Sequence, residues 1–313
     1  MKKTIYIYDH GAVINRNGTH LQIRLHDELI FEEPVVNVDS IVMFEFAQIT
    51  TQALCTALEN DIPVVYTSKS SKIIGVTYPR FTHRPHLRLA QYAVTIEPRD
   101  TLMLAKTIIS AKIQGQMSTL QAYRCSERNK LKAIFKTASA AKDISQLMGF
   151  EGAAAALYFR VFGTCLKNME FTRRQTHPAY DPINAVLNLS YSLALNKIDT
   201  ILSARGFDTS IGILHSAATN RAALSLDLLE AFRGTLDRFV LKLINRREVN
   251  EDDFRTDENG CVLSKKGFQK YISAYSREIN IAPLAEKLAE RLKNALICKE
   301  VEKFEISDMY SLL

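Results

Sequence analysis

The chain has 313 residues, 47% of them hydrophobic and 24% charged, with a formal net charge of +6, the balance of a globular protein long enough for two ordinary domains. No stretch approaches the roughly 18 uncharged apolar residues of a membrane span, and Asp9 interrupts the short apolar run of the N-terminal "MKKTIYIYDH", so neither a membrane segment nor a signal peptide is expected. The five cysteines (Cys55, Cys125, Cys165, Cys261 and Cys298) are odd in number, scattered and never in Cys-x-x-Cys spacing, which argues against a disulfide framework or a cysteine zinc site and for a reducing cytoplasm.

The first 80 residues read as strands. "TIYIY" (4–8) is β-branched and aromatic, and "NRNG" (15–18) offers a hairpin turn before "THLQIRL" (19–25). "ELIF" (28–31) and "SIVMFEF" (40–46) continue the pattern. A short helix is expected over 51–60, with a threonine as its cap and Asn60 as its stop. "PVVYTS" (63–68) and "IIGVTY" (73–78) complete the set of strands. Then "PRFTHRPHLR" (79–88) has two prolines, two histidines and three arginines but little apolar pattern, and reads as a linker.

Helical spacing dominates from there on. The segment 100–124 has apolar residues three and four apart, with Asp100 as its expected cap, and helical patterns recur around 143–168, 182–204, 221–247 and 282–304. Between the last two, 250–267 is polar and turn-rich and reads as an exposed loop. The fold class is therefore α+β: a small β-rich domain over 1–80, a linker and first helical segment over 81–99, and a larger helical domain over 100–313. Charge follows this division. Residues 80–180 carry 16 Lys/Arg against 6 Asp/Glu, whereas residues 1–79 carry 6 against 9 and residues 181–313 carry 18 against 19. A basic middle third suits a polyanion such as nucleic acid, and a solvated basic helix face is the plainer alternative.

Glu151 is the only charge in "GFEGAAAALYF" (149–159), and a buried carboxylate needs a cationic partner or a metal ion. It could equally lie on a solvated helix face or pair with an arginine. Further ligands would have to come from elsewhere. His215 follows the apolar "IGIL", and Asp227 and Glu230 lie three apart, on one helix face. Fifteen residues of unbroken helix would hold His215 and Glu230 about 22 Å apart. A break at "SAATN" (216–220), with Asn220 capping the following helix, would bring them closer. Taken singly, His215 is as well read as an ordinary core histidine, and the two acids as an amphipathic stripe.

"MGFEGAAAALYF", "HPAYDPINAVLNLSYSLA" and "GFDTSIGILHSAATNRAALSLDLLEAFR", in this order, resemble the three signature blocks of the CRISPR adaptation integrase, the Cas-one family. "QYAVTIEPRDTLMLAKTIISAKIQGQMSTL" also resembles that family's first long helix, and the resemblance covers essentially the whole chain. It implies a β-rich dimerisation domain, a helical catalytic domain, and a divalent metal held by Glu151, His215 and Glu230, with Asp227 as a possible additional acid. Two departures stand out, "GFDTS" in place of a Gly-Leu-Asp-Pro and Gly234 where a proline often stands; both are expected to touch loop geometry only.

Two carboxylates and an imidazole suit Mg²⁺ or Mn²⁺. The resemblance implies an integrase and endonuclease of CRISPR adaptation that inserts short foreign DNA at a CRISPR repeat by 3′-hydroxyl attack. Its implied partners are double-stranded DNA with 3′-hydroxyl ends, CRISPR repeat DNA, a second copy in a homodimer, and a small Cas-two protein in a heterohexamer, with no membrane involved. A structure-selective nuclease for branched or repair intermediates is the alternative, and a catalytically idle DNA scaffold the third reading. Arg173 and Arg174 are candidate phosphate contacts. Tyr158, two helical turns from Glu151, reads as core rather than nucleophile. Asn184 reads either as a helix-start residue or as a group that orients a neighbour of the site.

Overall fold

The computed structural model describes residues 3–7, 9–44, 46–68, 73–79, 85–176, 178–215, 221–258 and 260–306. The chain divides into two compact units, one up to Arg88 together with Asp199–Phe207, the other Leu89–Ile198 with the chain from Asp208 on.

The first unit holds two four-stranded sheets. One has the order β4 (Glu28–Pro34), β3 (His20–Leu25), β2 (Ala12–Asn17), β6 (Gln48–Ile49); the other has β1 (Lys3–Ile7), β5 (Val38–Phe44), β7 (Val64–Thr67), β8 (Ile73–Thr77). Strand β5 lies between parallel neighbours, and its run Ile41–Phe44 is buried on both faces, as the unbroken apolar sequence requires. Two-residue turns close the β2–β3 and β3–β4 hairpins. The second uses His26 and Asp27, both at positive φ, and Arg24 donates to the Asp27 carbonyl at 2.9 Å. Helix α1 (Thr51–Glu59) begins where Thr50 accepts from the Ala53 amide and ends at Asn60. Ile5, Ile14, Ile23, Ile41, Ala53 and Val64 belong to one core cluster. Strands β2 and β6 are additions to the sequence reading.

The helical part comprises α2 (Pro85–Ile96), α3 (Pro98–Ala122), α4 (Arg128–Ser139), α5 (Ile144–Thr164), α6 (Pro182–Ala204), α7 (Ala223–Leu229), a 3₁₀ turn at Glu230–Phe232, α8 (Arg233–Asn245), α9 (Lys265–Glu278) and α10 (Ala282–Cys298). Helix α2 already occupies part of the expected linker, whose residues 80–84 lie outside the described set, as does the expected break at 216–220 with its Asn220 cap. Helix α3 starts at Pro98 rather than at a cap on Asp100: proline suits the first helical position, and Asp100 lies inside the first turn, where its charge favours the helix dipole. The segment 250–267 is not an open loop. Strands β9 (Phe254–Asp257) and β10 (Gly260–Leu263) pair in it, anchored by the Cys261 amide on the Ala179 carbonyl at 2.7 Å.

Helix α3 is the axis of this unit, buried along most of its length and packed by α4, α5, α8 and the 3₁₀ turn. Gly234 is helical rather than looped. A Cβ there would lie 2.4 Å from the Gly115 carbonyl carbon, so the glycine permits backbone contact between α3 and α8. Thr119 locks that crossing by donating to the Gly234 carbonyl at 2.8 Å. Among the described residues no helix is long and apolar enough to cross a membrane.

Candidate active site

Glu151 and Glu230 meet on one cation. Helix α5 starts at Asp143, whose side chain accepts from the Gln146 amide at 2.7 Å, and carries Glu151 two turns further on. The 3₁₀ turn presents Glu230, and Lys112 projects from the middle of α3. The Lys112 ammonium pairs with Glu151 Oε1 and lies 2.7 Å from Glu230 Oε2, while Arg233 Nε approaches that same Oε2 at 2.9 Å. The side chains of Lys112, Glu151 and Glu230 are only 10%, 16% and 6% exposed, so these charges depend on one another. Burial alone would raise the Glu230 carboxyl, but the Arg233 and Lys112 cations outweigh it and hold the group below the usual carboxylate range. Gly149, Gly152, Ala153 and Ala156 are exposed on α5 around Glu151, whereas Ala154 is core.

Asp227 does something different. It is fully buried, and its carboxylate accepts the amides of Ile213, Leu214 (3.0 Å) and His215 (3.1 Å), and meets His215 Nδ1 at 2.5 Å. A Cβ on Gly212 would come within 2.8 Å of that carboxylate, so the glycine keeps the space open. An acid that accepts three amide protons is the acceptor for the ring as well. Nδ1 therefore carries a proton, which leaves Nε2 as the ring nitrogen free to face a ligand. Asp227 thus orients His215, and one helical turn separates it from Glu230, whose amide bonds back to the Asp227 carbonyl. Among the described residues, no three His, Cys, Asp or Glu side chains gather closely enough to hold a metal ion. The structure brings together Glu151 with Glu230, and His215 with Asp227, as two pairs.

Behind the first pair lies a second layer that the sequence did not disclose. Arg233 stacks over the Tyr191 ring at 4.5 Å and Arg174 approaches the same ring at 5.3 Å. The Tyr191 hydroxyl donates to buried Asp237. Burial pushes Asp237 up to about 6, because the Tyr191 and Tyr158 hydroxyls and the Arg233 and Arg174 cations offset desolvation only in part. Tyr158 is core, and burial raises its hydroxyl well above the ordinary tyrosine range, which disfavours the phenolate a nucleophile would need. Arg173 and Arg174 part company. Arg173 is exposed; the Arg174 guanidinium donates to Asn184 at 2.9 Å and to Asn188 at 2.6 Å, and burial draws its pKa down. Asn184, fully buried, also donates to the Arg173 carbonyl and to Asp181, so it ties the 173–175 segment to the start of α6.

The family model described as "CRISPR associated protein Cas1" matches residues 5–277. The CRISPR-associated endonuclease Cas1 3 of Thermus thermophilus is 30% identical over 310 residues, covering 96% of this chain and 90% of that one. Among solved structures, a CAS1 protein from Thermotoga maritima superposes with a TM-score of 0.83 at 24% identity, over 94% of this chain and 97% of the other. A chain of a Cas6-RT-Cas1–Cas2 complex gives 0.81 at 23% identity over 97% of this chain and 36% of its own length. A casposase bound to integration product gives 0.80 at 21% identity, over 99% and 98%. The strand-rich N-terminal part and the helical remainder match the fold of the Thermotoga protein.

Proposed function

The chain belongs to the Cas1 family of CRISPR-associated proteins, and we propose that it is a metal-dependent DNA integrase and endonuclease of CRISPR adaptation, joining short foreign DNA to a CRISPR repeat. One observation carries the reading: Glu151 and Glu230, far apart in sequence, aim their carboxylates at a single buried cation. Paired oxygen donors on one positive charge are the donor set that a hard divalent ion takes, and no thiol competes among them. Glu151, Glu230 and Nε2 of His215 would hold Mg²⁺ or Mn²⁺. Bound there, the ion would supply charge neutralisation at the scissile phosphate and orientation of the attacking and leaving oxygens.

The chain's own residues do the rest. Asp227 keeps the imidazole in the tautomer that offers Nε2. Arg233, fixed over Tyr191, keeps Glu230 ionised. The buried tyrosines offer no attacking oxygen, so that oxygen comes from the 3′-hydroxyl of a DNA end for joining or from water for cleavage. The casposase bound to its integration product supports the former on a similar fold. The Cas1–Cas2 complex supports a small Cas2 protein as partner, and we extend this to a homodimer built on the β-rich unit and a heterohexamer with Cas2. Repeat DNA as substrate supports a cytoplasmic reaction.

The test compares donor duplexes ending in 3′-hydroxyl or dideoxy nucleotides, on repeat-containing target, with Mg²⁺ or Mn²⁺ and with or without Cas2. Joined products are expected only from the hydroxyl donor in the presence of metal. Joining by the dideoxy donor would exclude strand transfer. Cleavage that ignores the donor end, with no joined product, would favour a hydrolytic nuclease for branched DNA.

A further inference from the structure

We propose that Lys112 is the place-holder of the metal site: its ammonium occupies the position between Glu151 and Glu230 until a divalent ion displaces it, and this makes ion and DNA binding interdependent. The inference rests on the metal-site reading above and concerns what the site does before the ion arrives.

Geometry separates Lys112 from the other cation. Of the two glutamates Arg233 pairs with Glu230, and it is held from behind by the Tyr191 ring, whereas Lys112 meets both carboxylates where they converge. Without an ion, two carboxylates and two cations balance, and the cluster is neutral. An ion set between Glu151 and Glu230, at about 2.1 Å from their oxygens, would need the place that the ammonium now fills, 2.7 Å from Glu230 Oε2, and the two like charges repel each other. One of them must leave. Lys112 has a four-carbon stem of rotatable bonds, so its head can withdraw while α3 stays in place. The two carboxylates, Arg233 and the ion then leave the pocket with one excess positive charge, and the displaced Lys112 ammonium needs a new anion. A DNA phosphate beside the ion would supply the missing negative charge. Ion and DNA would therefore bind each other's complex more tightly than the bare protein.

The rest of the chain supplies a reason for a lysine at this point. Residues 107–120 hold one charge, Lys112, on a helix whose neighbours Ile108, Ile109, Ile113 and Gly115 face the core. A lone ammonium there is costly unless it is matched, and its match is the very pair of acids that the ion would use.

The experiment follows free Mn²⁺ by EPR with the full-length chain, alone and with a dideoxy-ended duplex that cannot react. Lys112→Met is expected to bind Mn²⁺ on the order of tenfold more tightly than wild type without DNA, the size of an ordinary coupling between sites. The gain in Mn²⁺ affinity on adding DNA should shrink correspondingly. Thermal melting should show Lys112→Met less stable than wild type without metal and closer to it with Mn²⁺. If Lys112→Met folds only when Mn²⁺ is present, the ion has replaced the ammonium and the proposal stands; if it fails to fold with Mn²⁺ as well, the ion does not substitute and the proposal falls. Lys112→Arg, which keeps the charge, should not tighten Mn²⁺. Wild-type Mn²⁺ binding that ignores both Glu151→Gln and Glu230→Gln would remove the metal reading and this proposal with it. Binding that needs both acids but is unchanged in Lys112→Met would remove the place-holder alone.

Discussion

Two carboxylate sites one helical turn apart are neutralised in opposite ways. Asp227 is held by three backbone amides and an imidazole, partners fixed by the course of the chain. Glu151 and Glu230 are held by side-chain cations, one of them on a flexible stem. A carboxylate satisfied by amides has no need of an ion and serves as a bracket. A carboxylate satisfied by an ammonium can exchange it for another cation. If the proposed metal site is right, this difference makes Asp227 a positioning residue and the two glutamates the binding ones, and substitutions at each can break or sharpen the contrast.

The largest effect is expected on catalysis. Glu151→Gln, Glu230→Gln and His215→Ala should each lower joining by about a thousandfold or more, the scale of removing a preorganised charge contact. Stability should divide the two glutamates. Glu230→Gln leaves the partly buried Arg233 without its carboxylate and should cost about 3 kcal/mol, the lower end of the loss when one member of a buried pair is removed. Glu151→Gln, the most exposed of the three charged side chains, should cost well under half of that. Urea unfolding monitored by circular dichroism measures both; equal losses would mean that Arg233 does not depend on Glu230.

Asp227→Asn should act more gently on chemistry. An asparagine side chain cannot accept from all the amides and the ring, so His215 loses its orientation while both glutamates remain. Mn²⁺ affinity should fall about 10- to 100-fold, as when a partner of a metal-binding histidine is removed, and saturating Mn²⁺ should restore much of the activity. The same metal should not rescue Glu230→Gln. Equal failure of both variants at saturating metal would move Asp227 among the ligands.

Much of this arrangement was open to sequence reading, and the limits have physical causes. The strands of the first unit and α1 with its threonine cap follow from β-branched runs and turn residues, which act locally. Helices α4 and α9 are hard to read from sequence because their exposed faces dilute the apolar period, and the 254–263 hairpin because its strands are only four residues long. At the site, Glu151 stood out as a single charge in an apolar run. Lys112 is likewise the single charge of residues 107–120, and the question of where its counter-charge lies leads from one to the other. Arg233 and Asp237 gave no such signal, since a helix with mixed residues hides which of its charges face inward.

The smallest effect concerns the two adjacent arginines. Arg173 is exposed, while the Arg174 guanidinium is engaged by Asn184 and Asn188 and lies over Tyr191. If the basic segment 80–180 meets DNA, only an exposed guanidinium can release a counterion when it contacts a phosphate. Arg173→Ala should therefore reduce the slope of log affinity against log salt by about 0.9, uniformly across DNA sequences. Arg174→Ala should leave that slope unchanged. It should instead lower stability by about 1.5–3 kcal/mol, as expected for a hydrogen-bonded charge removed from among its acceptors. Fluorescence anisotropy between about 50 and 200 mM salt, the range over which phosphate contacts lose most of their affinity, resolves the first effect. A reduced slope in Arg174→Ala would mean that its guanidinium leaves the asparagines when DNA binds. An unchanged slope in Arg173→Ala would remove this corner of the molecule from the DNA path.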